Sequence, residues 1–202
     1  MHARQCFQRI RSRASSDQSL IVRTLGFYKF YSLLLAHDYP TASQPTHITS
    51  PNMPFTLVLP DGFQYLGAAF ASTIWLQVWQ ALLVGRARKA AGIQYPRLYA
   101  EKAEEEASFL AKKFNCTQRA HQNTLEQMPL ICTATALSAL KYPTFAAGAL
   151  GLWTVGRVLY TLGYITGDPS KRQARGGWIG SLCFLALAST GTYVAGALAL
   201  GH

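Results

Sequence analysis

Two stretches without a single charged side chain, residues 62–85 and 176–201, constrain this chain more than any other feature of it. As helix, each is long enough to cross a hydrocarbon layer about 30 Å thick, which takes roughly 20 residues. A surface helix of a soluble domain keeps charged and polar residues on its outer face instead. The composition agrees. Only 14 % of the 202 residues are charged, half are apolar, and the mean hydropathy is just above zero at +0.09. A soluble domain carries about a quarter charged residues. These figures exclude a soluble globular enzyme, a disordered chain and a secreted disulfide scaffold. They specify a multi-span membrane protein.

The net charge of +10 divides into two parts. Residues 1–52 contribute +4 and the remainder +6. A nucleic-acid binder would gather such charge on a soluble face with aromatic platforms. After residue 52 the basic residues gather mainly in loops between apolar segments, which reads as membrane topology. Cys6, Cys116, Cys132 and Cys183 form no CxxC pair. Cys132 and Cys183 fall within spans and are read as buried thiols in preference to redox or metal groups, so no metal site is expected.

Residues 1–52 form a separate piece. Their start is rich in Arg and Ser with no acid before Asp17, the composition of an organelle transit peptide. Residues 38–54 are rich in Pro, Thr and Ser, as linkers are. The alternative is that Met53 is the true start and the extension an artefact of gene prediction. Either way the membrane domain is expected over residues 53–202.

Four spans fit that domain, giving an all-α integral membrane protein built as a four-transmembrane-helix bundle. The first covers about residues 63–84. The second must recruit polar sequence, because the uncharged run 127–140 is only 14 residues and cannot cross alone. It extends backwards through 115–126, which takes Arg119 and Glu126 into the helix. The third, about 144–165, carries Arg157, and the fourth covers about 177–200. A lone charge in a span is costly and usually faces a bundle interior or a cavity.

The turn Lys141-Tyr142-Pro143-Thr144 is short enough to make spans two and three an antiparallel hairpin. Loop 1 (86–113) carries seven Lys/Arg and loop 3 (167–175) carries three, against Lys141 alone on the other side. Loops 1 and 3 are therefore expected in the cytosol, with the termini opposite. The basic extension opposes this orientation, which favours a start at Met53. Gly176-x-x-x-Gly180, Ala147-x-x-x-Gly151 and Gly67-x-x-x-Ala71 have the spacing of close helix contacts. Trp178 is expected at a membrane boundary, and Trp75, Trp79 and Trp153 in packing positions.

The polar spans hold the candidate chemistry. Arg119, Asn123 and Glu126 stand at i, i+4 and i+7 and share one helical face. A guanidinium fork, an amide and a carboxylate there suit a small zwitterion carrying both a carboxylate and an amino group. The same spacing also allows a plain Arg119–Glu126 ion pair that only stabilises the bundle. Arg157, Tyr160 and Tyr164 share a face of the third span in the same way.

These residues carry a resemblance. Residues 114–126, Phe-Asn-Cys-Thr-Gln-Arg-Ala-His-Gln-Asn-Thr-Leu-Glu, resemble the type 3 microsomal glutathione transferases of the MAPEG family (membrane-associated proteins in eicosanoid and glutathione metabolism). So does Gly156-Arg157-Val158-Leu159-Tyr160-x-x-Gly163-Tyr164-x-Thr166-Gly167-Asp168-Pro169-Ser170-Lys171-Arg172. The likeness covers about residues 57–200 and leaves 1–52 outside. It implies a homotrimer of four-helix subunits in the endoplasmic reticulum membrane, with glutathione bound between neighbours at the cytosolic end. The extension leaves the mitochondrial outer membrane as an alternative.

By the same resemblance, Arg119, Asn123 and Glu126 match glutathione contacts on span two, and Tyr160 and Tyr164 match contacts on span three. His121 stands where the leukotriene-synthase branch has Gln, and is read as a hydrogen-bonded positioning group in preference to a proton shuttle. Arg88 matches a basic residue near the thiol. The thiol-activating Arg of that branch falls at Lys171 by direct count from Arg157, or at Arg172 if the loop holds one extra residue. Loop 1 is longer and more acidic than in the family. The implied activity is glutathione transfer to lipophilic electrophiles and reduction of lipid hydroperoxides. The competing function is a non-catalytic lipid-binding scaffold on the same fold, which would not bind glutathione.

Overall fold

The computed structural model describes residues 59–201. The expectations for residues 1–52, and for a start at Met53, lie outside the described residues. Within the described residues six helices follow in order: α1 (Gln64–Ala91), α2 (Lys102–Ala107), α3 (Phe109–Ala139), α4 (Pro143–Tyr164), α5 (Lys171–Ala174) and α6 (Trp178–Ala199). Among the described residues there is no strand. Among the described residues, three helices, α1, α4 and α6, are long and apolar enough to cross a membrane. The chain is a multi-pass membrane protein. α3 is the longest at 31 residues, and its first half is polar.

Local sequence explains the boundaries. Gly92 ends α1 with φ +70°, and its amide returns to the carbonyls of Arg88 and Lys89, the left-handed cap that glycine adopts without steric cost. Pro143 opens α4 at a position where a missing N–H costs nothing. Pro129 lies inside α3, where it removes one ladder donor. Thr133 bonds back to the Pro129 carbonyl.

α3 and α4 sit at the centre, packing on each other while α1 and α6 each pack on both of them. Leu66, Leu76, Ile131, Leu150, Trp153 and Leu187 form the main apolar core. The polar interior is more telling. Gln80 (α1), Thr124 (α3), Arg157 and Thr161 (α4) are all buried. On the outside, α1 shows Ile74, Trp75, Val78 and Leu82, while α6 shows Leu182, Leu185, Tyr193 and Leu198. α6 buries only Gly180, Leu187, Gly191 and Val194. A helix apolar all round but buried along one stripe needs an apolar surrounding for the rest, which lipid supplies.

Several expectations need correction. The first helix does not end at the basic residues: it runs on through Arg86, Arg88 and Lys89. Loop 1 is consequently shorter than 86–113, and it contains α2. α2 forms because Glu101 and Glu104 make a reciprocal capping box. Trp153 is fully buried, as a packing residue should be, whereas Trp75 is 55 % exposed on the outer face of α1. Of the glycines in the three small-residue spacings, only Gly180 meets a neighbouring backbone, that of Trp153 and Gly156 on α4. Gly176 serves instead as a turn residue with φ +97°, and Gly67 and Gly151 have nothing within 4 Å of a notional Cβ.

Candidate functional site

Where α3 and α4 run side by side, their polar faces meet the short helix α5 and the start of α6. The result is an open cleft of about 340 Å³. α3 lines it with Arg119, Asn123 and Gln127, spaced at four-residue intervals and so on one helical face. α4 adds Arg157, Tyr160 and Tyr164, α5 adds Arg172 and Gln173, and α6 adds Ser181. α1 contributes none of the lining residues.

Three guanidinium groups therefore border one cleft whose lining holds no carboxylate. Arg119 Nη1 donates to Glu126 Oε1 at 3.0 Å, with both side chains about half exposed. Both partners belong to α3, so this pair ties no two helices together. The Arg157 guanidinium lies 4.1 Å above the Tyr160 ring, and Arg172 stands 5.8 Å from the Tyr164 ring centre. The two tyrosines meet edge to face at 5.6 Å. Cys116 and Ala120 pack behind them on α3.

Arg172 also donates to the Pro169 carbonyl at 3.2 Å. Lys171, its neighbour, lies outside the cleft lining and stands 3.7 Å from Asp168. The Ser170 hydroxyl and amide hold the Asp168 carboxyl below its usual range, and Lys171 adds to that. Asp168 is thus an anion that engages Lys171 and leaves Arg172 beside the tyrosines.

Of the nine candidate residues, five line the cleft: Arg119, Asn123, Tyr160, Tyr164 and Arg172. Glu126 adjoins it through Arg119. His121 turns towards α1, where Nε2 lies 3.1 Å from the side-chain Oε1 of Gln77. Arg88 is buried between the rings of Tyr95 and Phe114, at 4.4 and 4.6 Å. It donates to the carbonyls of Arg97 at 2.6 Å and Leu98 at 3.4 Å, fastening the segment after α1. Asn115 fastens the same segment from α3, exchanging both amide bonds with Ala100. Gln127, Gln173 and Ser181 are lining residues that the sequence did not single out. Gln127 was reachable, since it continues the Arg119–Asn123 spacing by one more turn. Gln173 and Ser181 carry no sequence signal, because α5 and α6 reach the cleft only through packing.

A comparison with protein families finds that the model of the MAPEG family matches residues 65–192, which includes every residue lining the cleft.

Proposed function

Because the chain belongs to the MAPEG family, we propose that it is a membrane-bound glutathione transferase of the type 3 microsomal kind, with glutathione peroxidase activity towards lipid hydroperoxides. One observation carries this reading: three guanidiniums border a cleft without a lining carboxylate, and Glu126 stands at its edge. Glutathione has two carboxylates, one ammonium group and a thiol. Arg119 and Arg157 suit the carboxylates through charge-assisted, fork-like bonds. Asn123 suits the peptide amides, and Glu126 the ammonium group.

The thiol then falls to Arg172. A free thiol has a pKa near 8.5, so only a few per cent is thiolate at pH 7. A fixed guanidinium beside the sulfur favours the anion. The thiolate attacks an electrophilic carbon and forms a C–S bond as the leaving group departs. With a hydroperoxide it attacks the terminal oxygen, the O–O bond breaks, and the lipid leaves as an alcohol. A second glutathione then completes the disulfide and releases water. No protein cysteine enters this chemistry.

In this reading α3 crosses the membrane too, as the second of four spans, with its polar half at the cytosolic end. Three subunits assemble so that a neighbour closes the open side of the cleft. The membrane is the endoplasmic reticulum. Isothermal calorimetry of the full chain in detergent tests the proposal: glutathione should bind, and turnover should follow with a lipid hydroperoxide or a chlorinated aromatic electrophile. A non-catalytic lipid-binding scaffold would give no heat with glutathione.

A further inference from the structure

We propose that Gln80 of α1 is a positioning residue for the cleft. It holds the Thr124 hydroxyl on which the Arg157 guanidinium is seated, and through that hydroxyl it sets where Arg157 stands. The inference rests on reading the cleft as the glutathione site. α1 supplies no lining side chain, so this contact is how the first helix reaches the site.

Arg157 is only 4 % exposed. Its Nε and Nη2 donate to Thr124 Oγ1 at 3.0 and 2.7 Å, and Nη2 also reaches the Ala120 carbonyl at 3.4 Å. Among the described residues no carboxylate pairs with it. Its seat is built from neutral oxygens, which leaves its charge for an anion in the cleft.

Proton counting then fixes the role of Gln80. Thr124 Oγ1 has one proton, and it goes to the Ala120 carbonyl at 3.1 Å. Every other bond to that oxygen must be accepted. Gln80 Nε2 donates one of them at 3.0 Å and gives its second proton to Thr161 Oγ1 at 2.7 Å. The Thr161 proton is committed in turn to the Arg157 carbonyl at 2.7 Å. With both hydroxyl protons on backbone carbonyls of their own helices, Gln80 turns its nitrogen inward to both oxygens. Its own Oε1 is left buried without a partner among the described residues.

Packing alone would not select that arrangement. A buried carbonyl without a hydrogen bond is costly, whereas Leu or Met would fill similar volume without the cost. What the amide adds is control over Thr124. A helical threonine divides between two χ1 wells, because its hydroxyl can bond the carbonyl three or four residues back. Donation from Gln80 across the helix interface favours the well that presents Oγ1 to Arg157.

The test uses the full-length protein in detergent and reads glutathione KM, kcat, calorimetric Kd and melting temperature together. Gln80→Leu should raise Kd and KM for glutathione about five-fold, the scale of one hydrogen bond, while kcat and melting temperature stay near wild type. Thr124→Val should weaken binding at least as much. The double variant should be no worse than Thr124→Val alone, because both act on one seat. Thr161→Val, which removes the other acceptor, should leave Kd unchanged. If Gln80→Leu does not fold, Gln80→Met takes its place with the same expectations. Unchanged KM in the Gln80 variant, additive effects in the double variant, or a lower melting temperature without a change in Kd would each overturn the proposal. A wild-type protein that binds no glutathione would sink the functional reading itself, and this inference with it.

Discussion

Arg119 and Glu126 show how one contact can carry two meanings. Their 3.0 Å pair runs along a single helix, with both side chains about half exposed. Exposed pairs of that kind contribute little, on the order of 0–1 kcal/mol. Removing Arg119 should therefore disturb the bundle less than it disturbs an anion held in the cleft. Arg119→Ala is expected to weaken glutathione binding more than about ten-fold, since a charge-assisted hydrogen bond contributes roughly 1.5–3 kcal/mol. Melting of the assembled protein should move only slightly. Calorimetry and thermal melting on the same variant check both halves, and a large loss of stability with intact affinity would contradict the assignment. Arg172 and Lys171 differ by what surrounds them. Lys171 is engaged by Asp168, whereas Arg172 stands in the cleft by Tyr164. Arg172→Ala should cut kcat by roughly 10²-fold, the scale of losing one preorganised electrostatic donor, and raise the apparent pKa of the bound thiol. Lys171→Ala should alter KM modestly at most. An exchange of these phenotypes would make Lys171 the activating residue.

At the scale of elements, the segment between α1 and α3 is the part whose sequence was easiest to misread. Its basic residues look like a solvated loop, yet Arg88 is buried and Asn115 pins the chain at Ala100. α2 depends on charge as well. The Glu101 amide, and then the Arg97 guanidinium, hold the Glu104 carboxyl below its usual value of 4.5. A carboxylate with a depressed folded pKa stabilises above its unfolded value, and the contribution fades as pH falls through the folded one. Wild type and Glu104→Gln should thus differ in amide-exchange protection over residues 101–107 near pH 7. The difference should vanish once the pH drops well below 4.5. A gap that persists in acid would rule out the charged cap. Helix crossing is set by a different feature. A Cβ on Gly156 would run into the Gly180 backbone, so the close approach of α4 and α6 depends on Gly156 lacking one, whereas a Cβ on Gly180 would make ordinary contacts. Gly156→Ala should lower stability by about 1–3 kcal/mol, the usual cost of overpacking. Gly67→Ala, with nothing within 4 Å, should leave the melting temperature of the subunit nearly unchanged.

For the whole molecule, the described residues form a bundle with apolar flanks and a polar seam, and every residue lining the cleft falls within 119–181. A chain shortened to begin at Met53 should therefore fold in detergent and keep its glutathione affinity, as measured by calorimetry beside the full chain. Loss of assembly on shortening would show that residues 1–52 are structural. Much of this organisation was legible in the sequence. Long uncharged runs determine the apolar helices, because hydrocarbon leaves a backbone no partner but itself. Helical spacing placed Arg119 with Asn123, and Tyr160 with Tyr164, since residues three or four apart must share a face. Arg88 and His121 are not among the lining residues of this cleft, and sequence spacing cannot say which neighbour a side chain will meet. Only packing decided that Arg88 closes on backbone carbonyls and that His121 faces Gln77. Only packing brought Gln80, Thr124 and Arg157 into one chain of hydrogen bonds. They lie on three helices, up to 77 positions apart in Arg157's numbering from Gln80. Periodicity is a property of one helix, so it determines the faces; which faces meet depends on volumes and proton counts summed across all the helices at once.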